Sequence, residues 1–387
     1  MKTIITFLIS LFTIVTFSQE ILTVGIYRNA KIRTAVFSYS LTDYQIVAND
    51  SVPIQLVSKG DKITIKRRGE QVQLSKGELI IGTYNSVRFF RTKDNGVFNI
   101  KTTSPSLKRR IYYGDLEIKV INDIFTFINH VPLESYLIGV IESESGNYQS
   151  KEYYKVQAII SRTYALKHKN KFLHEGFMLT DLVNCQVYFG KYYQNPKMEQ
   201  AVEETKGLVL VDAEMQYITA AFYSNSGGQT ENSENVWNKP MPYLKSRKDP
   251  FSVGKNNYKW TKTINKDKWL SYLNRKFNYP IEDSASISKV INFSQTNRKK
   301  YLAGWESHIL LTDIRRDWRL KSTYFSIIDK GDQITLKGNG FGHGVGLSQE
   351  GAMNMVDLGY SYLDVLEFYY LNVFLIESSK RAYYLMD

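Results

Sequence analysis

The feature that most constrains the fold is the segment from residue 131 to 166, which reads VPLESYLIGVIESESGNYQSKEYYKVQAIISRTYAL. Its apolar residues recur at helical spacing on both sides of the polar stretch SGNYQS, so the segment predicts two helices joined by a short turn. On a helical wheel with about 100° per residue, the apolar side chains within about 60° of Glu144 are Leu133, Leu137, Val140 and Ile141. An acidic residue therefore occupies the end of a core-facing stripe.

A carboxyl group in that position is poorly solvated. Glu144 also lies in the last turn of its predicted helix, before Gly146 and Asn147, which suit a left-handed C-cap. Burial and the negative end of the helix dipole both favour the protonated carboxyl. Protonation is the state that a general acid needs near neutral pH. Gly139 and Glu142 point to the opposite, outer face of the helix, so Glu142 is not expected to substitute for Glu144.

The length and composition indicate a globular, exported protein. The chain has 387 residues, of which 43% are hydrophobic and 23% charged, enough for one large or two modest domains. Residues 1–18, MKTIITFLISLFTIVTFS, have a basic start and an apolar run shorter than a membrane span, which predicts a signal peptide. The net charge of +12 could attract an anionic partner. Nucleic acid is not expected as that partner, because the chain is predicted to be exported to the periplasm, the cell envelope or the medium. The single cysteine, Cys185, excludes an internal disulfide.

Short runs rich in Ile, Val, Tyr and Phe dominate the chain from residue 21 to about 127. They predict strands at residues 22–27, 34–39, 44–48, 62–67, 79–82, 87–91, 97–101 and 116–121. Turn signals at residues 49–50, 59–61 and 94–96 separate them. No catalytic cluster occurs here, so we expect a β-rich platform at residues 19–107.

Beyond the helix pair, Asn195 and Pro196 begin a predicted helix that Gly207 stops. Strands are predicted at residues 208–211 and 217–223. The next segment, residues 223–238, reads YSNSGGQTENSENVWN and is dense in hydrogen-bonding groups. A linker is the alternative, but Trp237 and Tyr243 favour a loop anchored to a core. The side chains suited to a saccharide are Ser224, Ser226, Gln229, Thr230 and Trp237.

A third unusual segment, residues 338–355, reads GNGFGHGVGLSQEGAMNM. Glycine at every second position from 338 to 346 would leave one face of an extended segment without side chains, so another backbone or a flat ligand can approach closely. His343 is the one side chain of that glycine run that titrates near neutrality, and structural and functional roles are equally open for it. Ser361 and Asp364 then predict a capping box for a last helix.

These three segments together resemble the SpoIID/LytB family. Its pattern of a helix ending on a catalytic Glu, followed by A-x-x-x-R-T-Y-A-L, falls on Glu144 and Arg162. Its S-x-S-G-G-x-T-E-x-S-E-x-V-W and G-W-G-H-G-V-G-M-S-Q-x-G-A patterns are similar to residues 224–237 and 340–352. The segment at 311–328 is similar to R-x-x-L-x-L-x-S-T-x-F, so residues 315–319 either face the substrate or are structural.

The resemblance implies an α+β fold, with the β-rich platform followed by a mixed α/β catalytic core around a cleft at residues 108–387. It implies a lytic transglycosylase that cleaves peptidoglycan glycan strands and leaves 1,6-anhydro-muramic ends, with Glu144 as acid and then base. Arg162 would orient Glu144 or form a structural pair, and Lys245 would hold the muramic carboxylate or lie at the surface. The alternative is a non-catalytic wall-binding protein that stimulates a cell-wall amidase, as the LytB side of the family implies.

The resemblance also points to a metal site that this chain has altered. Many family members bind zinc through a Cys-x-x-x-His-Cys arrangement just before Gln-Val-Tyr. The matching positions here are Thr180, Asn184 and Cys185, of which only the cysteine is a good zinc ligand. We therefore predict no metal and no cofactor, with Cys185 as a small buried residue.

Overall fold

A computed structural model describes residues 20–39, 42–58, 60–94, 96–191, 195–381 and 383. The predicted signal peptide, and the turn residues Lys59 and Asn95, lie outside the described residues. Within the described ranges, no helix has both the length and the apolar character that crossing a membrane requires.

Strands occupy the chain up to residue 132, and strands and helices are interspersed after it. The strands are β1 Ile21–Ile26, β2 Thr34–Tyr39, β3 Tyr44–Ala48, β4 Val52–Val57, β5 Ile63–Arg68, β6 Gln71–Lys76, β7 Leu79–Tyr84, β8 Ser86–Arg91, β9 Val97–Ser104, β10 Arg110–Tyr113, β11 Asp115–Ile121, β12 Ile124–Pro132, β13 Leu179–Thr180, β14 Leu208–Val211, β15 Phe222–Tyr223, β16 Lys259–Asn265, β17 Phe325–Asp329, β18 Gln333–Asn339, β19 Leu347–Ser348 and β20 Phe374–Glu377. The helices are α1 Leu133–Ser145, α2 Lys151–His168, α3 Pro196–Glu204, α4 Ser233–Trp237, α5 Lys266–Phe277, α6 Ser284–Ile291, α7 Leu311–Asp317, α8 Gln349–Asp357 and α9 Tyr362–Tyr369.

Two large sheets form the N-terminal part. One has seven strands in the order β13-β1-β12-β11-β8-β3-β4, and the other has six in the order β10-β9-β2-β5-β6-β7. Their inner faces share one core, in which Phe37 of the six-stranded sheet stacks on Phe89 of the seven-stranded sheet with ring centroids 4.1 Å apart. Both sheets contain strands from either side of residue 107, the domain boundary expected from the sequence. The predicted α+β class, with a β-rich N-terminal region, is confirmed.

All eight predicted N-terminal strands form, with ends shifted by up to three residues. The prediction missed β4, β6 and β12. Tight turns at Gly69 and Gly77 place β6 in short hairpins with β5 and β7. The strand predicted at 217–223 was wrong over most of its length, since only Phe222–Tyr223 is a strand. Backbone groups before it bond elsewhere: the N–H of Thr219 donates to the Tyr243 hydroxyl at 3.0 Å.

The helix pair forms as predicted at α1 and α2. Ser150 caps α2 by accepting a hydrogen bond from the N–H of Tyr153 at 3.3 Å. Gly146 ends α1 with a φ of +70°, a conformation that suits glycine. Gly139 was expected on the outer face, and this expectation was wrong. It is buried, and a Cβ there would lie 2.5 Å from the ring of Tyr188, so α1 is packed on both sides.

A second, separate hydrophobic core lies between residues 260 and 336. It is built from the three-stranded sheet β16-β18-β17 and helices α5, α6 and α7 around the fully buried Trp269. We call residues 260–336 the insertion because they lie in the chain between two segments of the cavity wall. These segments are the Ser-Gly-Gly loop, defined as residues 224–230, and the glycine ladder, defined as residues 338–346. The last strand of the insertion, β18, leads directly into the ladder.

Candidate active site

A cavity of about 460 Å³ lies where the end of α1 meets the Ser-Gly-Gly loop and the glycine ladder. Its wall is mostly apolar. Among the described residues that line it, Glu144 is the one carboxylate. The lining residues are Glu144, Tyr164, Val183, Cys185, Val187, Thr219, Ala220, Ala221, Phe222, Tyr223, Ser224, Trp237, Phe341, Gly342, His343 and Gln349.

Glu144 is half-buried in the last turn of α1. Its Oε1 accepts a hydrogen bond from the backbone N–H of Val187 at 2.9 Å. Burial raises the pKa of Glu144 above its ordinary value, and the Val187 N–H opposes the rise because it favours the carboxylate. Since the N–H donor makes Oε1 an acceptor, the proton of the neutral carboxyl belongs on Oε2.

The segment that supplies this N–H, NCQVY at residues 184–188, is itself held by the helix pair. Tyr188 packs against Tyr136 of α1 with ring centroids 4.8 Å apart, and its hydroxyl donates to Asn129 at 2.8 Å. The N–H of Phe189 donates to the hydroxyl of Ser143 at 3.1 Å. The absence of a side chain at Gly139 makes room for the Tyr188 ring, so the sequence of α1 sets where the Val187 N–H lies.

The glycine ladder lies against the Ser-Gly-Gly loop, but not as the extended strand considered from the sequence. Gly340, Gly342, Gly344 and Gly346 have φ values of +78°, +121°, +90° and +78°. Asn225 and Phe341 exchange two backbone hydrogen bonds of 3.0 and 2.8 Å. A Cβ on Gly340 would lie 2.5 Å from the carbonyl oxygen of Asn225. Gly340 and Gly346 therefore allow close approach of another backbone, whereas Gly342 and Gly344 make room for the side chains of Tyr223 and Arg298.

His343 lines the cavity with both ring nitrogens engaged. Its Nδ1 accepts from the N–H of Val345 at 3.1 Å, and its Nε2 lies 3.1 Å from the carbonyl of Phe222, which requires an Nε2–H donor. Burial and the nearby cations Arg315 and Arg298 lower the pKa of His343 to about 4. The ring is therefore neutral at pH 7, and it packs against Tyr223 and Trp237 with centroids 5.2 and 5.5 Å apart.

Of the side chains predicted to contact a saccharide, Ser224, Trp237 and His343 line the cavity with Glu144. Trp237, at the end of α4, is 38% exposed and presents an aromatic face. The others are used within the loop. Ser226 is fully buried and shares a hydrogen bond with Ser252.

The remaining two loop residues also have partners inside the protein. Thr230 is buried and accepts from the N–H of Arg247 at 2.9 Å. Gln229 donates to the hydroxyl of Ser246 at 2.9 Å. Within the loop, Ser224 lines the cavity, and the side chains of Ser226, Gln229 and Thr230 hold the shape of the loop.

The two predicted cationic residues form ion pairs. Arg162 is completely buried in α2 and makes a two-pronged contact with Glu134, at 3.0 and 2.6 Å, and a further bond to the carbonyl of Leu208. Its guanidinium is thus directed to the start of α1 rather than to Glu144. Lys245 pairs with Glu234 at 2.9 Å.

The positions of the family zinc site do not fit a metal in this chain. Thr180 donates its hydroxyl hydrogen to the amide oxygen of Asn184 at 2.9 Å, so the two side chains bond to each other. Cys185 is buried and lines the cavity. One thiol beside a hydroxyl and an amide is a poor donor set for zinc. No group of three or more His, Cys, Asp or Glu side chains suited to a metal occurs among the residues described.

Several groups of the cavity wall were not marked by the sequence, among them Tyr223, Phe341, Gln349 and the N–H of Val187. Gln349 stands in the Ser-Gln pair after the ladder, and its amide lies 3.5 Å from the carbonyl oxygen of Glu144. That motif position could have identified it. The Val187 contact is a backbone group, which no pattern of side chains marks.

Comparisons with known proteins are consistent with this architecture. The family model described as SpoIID, stage II sporulation protein, matches residues 122–211, which include Glu144 and Val187. Stage II sporulation protein D of Bacillus subtilis (strain 168) is 30% identical over 314 residues, covering 76% of this chain and 90% of that protein. Stage II sporulation protein D of Bacillus amyloliquefaciens is 30% identical over 293 residues, covering 72% and 83%.

A further relative is the amidase enhancer of Bacillus subtilis (strain 168), 30% identical over 290 residues that cover 60% of this chain and 39% of that protein. Similarity over most of the length of the two sporulation proteins, together with the family-model match around Glu144, shows that the chain belongs to the SpoIID family.

Proposed function

We propose that this protein is an exported peptidoglycan lytic transglycosylase that uses Glu144 alone as its acid and base. The observation that carries the proposal is one half-buried carboxyl with a raised pKa among the described lining residues of a cavity that also presents the aromatic face of Trp237. Hydrolytic glycosidases generally need two carboxyl groups, one of which activates water or attacks the sugar. A reaction in which the substrate supplies its own nucleophile needs one.

In the first half of the reaction, Glu144 Oε2 gives its proton to the oxygen that bridges N-acetylmuramic acid and N-acetylglucosamine. The bond from that oxygen to the muramic C1 breaks, and positive charge develops at C1. The bond between Val187 N–H and Oε1 then stabilises the carboxylate that forms. The leaving N-acetylglucosamine carries the proton as a new hydroxyl.

In the second half, the carboxylate of Glu144 takes the proton of the muramic C6 hydroxyl, and the C6 oxygen bonds to C1. The product is a 1,6-anhydro ring, and Glu144 is protonated again without consumption of water. The neutral His343 has both nitrogens bonded to backbone groups, so in this scheme it positions Trp237 and Tyr223 and takes no proton.

The test is to digest peptide-free glycan strands with the mature protein and to measure anhydro-muramic ends by mass spectrometry. We expect Glu144→Gln to lower the rate about 10²–10⁴-fold, because the amide cannot donate the proton. Glu142→Gln, two residues away on the same helix, is the matched control and should retain the rate. Equal activity of E144Q and wild type would disprove the mechanism.

The second candidate function is a wall-binding protein that stimulates an amidase. It is supported by the similarity to the amidase enhancer and by the altered zinc positions. In that case the chain would bind glycan without cleaving it, and E144Q would stimulate a cell-wall amidase as well as wild type does. Measuring amidase activity with both proteins separates the two functions.

A further inference from the structure

The inserted second core reaches the cavity through α7 and the turn that follows it. Arg319 has a φ of +48°, which reverses the chain after α7 and brings Lys321 back beside Arg315. The carbonyl of Lys321 accepts from Arg315 Nε at 3.3 Å and from the N–H of Gly342 at 2.9 Å. Since Gly342 lines the cavity, this one carbonyl ties the Arg315 guanidinium to the cavity wall.

Lys321 lies beside a residue of the cavity wall. Its side chain is exposed, and its Nζ is 5.6 Å from the centroid of Phe341, a lining residue that is 41% exposed. Two cationic groups of the insertion therefore flank the stretch from Phe341 to His343. Phe341 supplies an apolar surface beside the Lys321 ammonium.

Neither cation has a carboxylate within ion-pair distance among the described residues. The contrast with the neighbouring side chain is sharp, because Arg316 on the same helix pairs with both Asp313 and Asp317, at 2.7 and 3.1 Å. Arg315 is half-buried, where an uncompensated charge is costly to keep. An anion from outside the chain would remove that cost.

A further cation, Arg298, lies near Arg315 and His343. Arg298 is buried close to Arg315, and its guanidinium bonds to the carbonyls of Gln229 and Ser226 at 2.7 and 2.8 Å, not to a carboxylate. Burial, and then the repulsion from Arg298, lowers the pKa of Arg315. These cations also lower the pKa of His343. Arg315 and Arg298 therefore bring positive charge to His343, a residue of the cavity wall, although the carboxyl of Glu231 also lies near Arg298.

From this geometry we propose that Arg315 and Lys321 bind a carboxylate of the glycan substrate at the Phe341–His343 end of the cavity. The proposal rests on the proposed function, since it takes a glycan strand as the ligand. The carboxylate is then bound by the insertion and not by Lys245, which is paired with Glu234. A planar guanidinium can hold both carboxylate oxygens, and the exposed ammonium adds a second charge.

Two carboxylates of peptidoglycan have this chemistry: the lactyl group of a peptide-free muramic acid, and the free carboxylates of an attached stem peptide. Binding can be measured in the Glu144→Gln chain, so that ligand is not consumed. The three probes are a peptide-free muramic tetrasaccharide, the same tetrasaccharide with its lactyl carboxylates converted to methyl amides, and a tetrasaccharide that carries stem peptides.

We expect Arg315→Ala in this background to weaken binding of a carboxylate-bearing probe roughly tenfold, and to leave the methyl amide unaffected. If the affinity falls only for the peptide-free tetrasaccharide, the bound group is the lactyl carboxylate. If it falls only for the tetrasaccharide with stem peptides, the bound group is a carboxylate of the stem peptide. Lys321→Ala should show a smaller loss with the same probe, and Arg315→Lys should recover part of the affinity. Arg316→Ala is the matched control and should bind all three probes as the parent does.

Unchanged binding of every probe by both Arg315→Ala and Lys321→Ala would overturn the proposal. An equal loss for all three probes would also overturn it, because a charge contact cannot affect the methyl amide. These measurements do not depend on cleavage. If wild type binds the carboxylate selectively but forms no anhydro ends, the transglycosylase proposal fails and the carboxylate site stands.

Discussion

At the scale of single residues, the decisive feature is a carboxyl that the fold keeps partly out of water. Glu144 has its pKa raised by burial, and the Val187 N–H only partly offsets this effect. The protonated form is what the proposed chemistry needs, but above the ordinary pKa of a glutamate the same burial reduces stability. Function and stability therefore oppose each other at this residue.

This opposition predicts that Glu144→Gln stabilises the protein at pH 7. The folded-state pKa lies above the ordinary value of 4.5, so burial destabilises the fold at pH values above 4.5 and the effect disappears below it. The gain in melting temperature of E144Q over wild type should therefore shrink toward zero as the pH falls to about 4. Thermal unfolding of both proteins from pH 4 to 8 measures it, with E142Q as control. A gain that grows on acidification would contradict the raised pKa.

At the scale of elements, the site is held by two backbone segments in close contact. The glycine ladder approaches the strand and loop at residues 221–227 so closely that side chains are excluded. At Gly346, a Cβ would lie 2.3 Å from the carbonyl oxygen of Ala221, which lines the cavity. The N–H of Leu347 donates to that same carbonyl at 3.0 Å. Displacing the ladder here would move the cavity wall.

We therefore expect Gly346→Ala to lower both stability and activity. The left-handed conformation, with φ of +78°, costs a non-glycine residue about 1–2 kcal/mol. The clash with the Ala221 carbonyl adds about 1–3 kcal/mol. Gly359→Ala is the matched control, since its φ is +92° but a Cβ there would meet nothing within 4 Å. In urea unfolding, G359A should lose only the free energy of the conformational cost, and it should keep full activity. Equal losses of unfolding free energy in the two variants would refute the close approach at Gly346.

At the scale of the whole molecule, two hydrophobic cores support one cavity. The larger core joins both N-terminal sheets to α1, α2 and α3, whereas the smaller one belongs to the insertion between residues 260 and 336. Glu144 depends on the first core. Arg315 and Lys321 depend on the second, so the proposed acid and the proposed carboxylate site are supported separately.

Because the two cores are separate, a large-to-small substitution in one core should destabilise mainly that core. Trp269→Ala removes a fully buried side chain of the second core, whose indole N–H donates to the carbonyl of Val290 at 3.2 Å, and should cost that core about 3–5 kcal/mol. Hydrogen exchange should then increase mainly in α5, α6, α7 and β16 to β18. Phe89→Ala in the first core is the matched control, with the increase in β2, β3, β8 and β11. Equal loss of protection throughout the chain in both variants would show that the cores unfold as one.

Much of the local structure followed from short-range patterns. The helix pair was predictable because periodicity and the Ser150 cap are local, and the capping box of Ser361 and Asp364 forms as its spacing indicated. The Arg162 contact was not predictable, because Glu134 and Arg162 are separated by 28 residues and meet only when α1 packs on α2. The strand predicted at 217–223 was wrong for a similar reason, since side chains distant in the sequence form hydrogen bonds with its backbone groups.

The amino-acid sequence alone determined that an acidic residue ends a core-facing helical stripe, and that Ser-Gly-Gly and alternating-glycine segments exist to be brought near it. Those properties depend on residue type and spacing along the chain. Tertiary structure alone decided which oxygen of Glu144 is bonded to Val187, that His343 is neutral, and which cations pair with a carboxylate. Hydrogen-bond partners, burial and charge pairing depend on groups far apart in the chain, and only packing brings those groups within a few ångströms of one another.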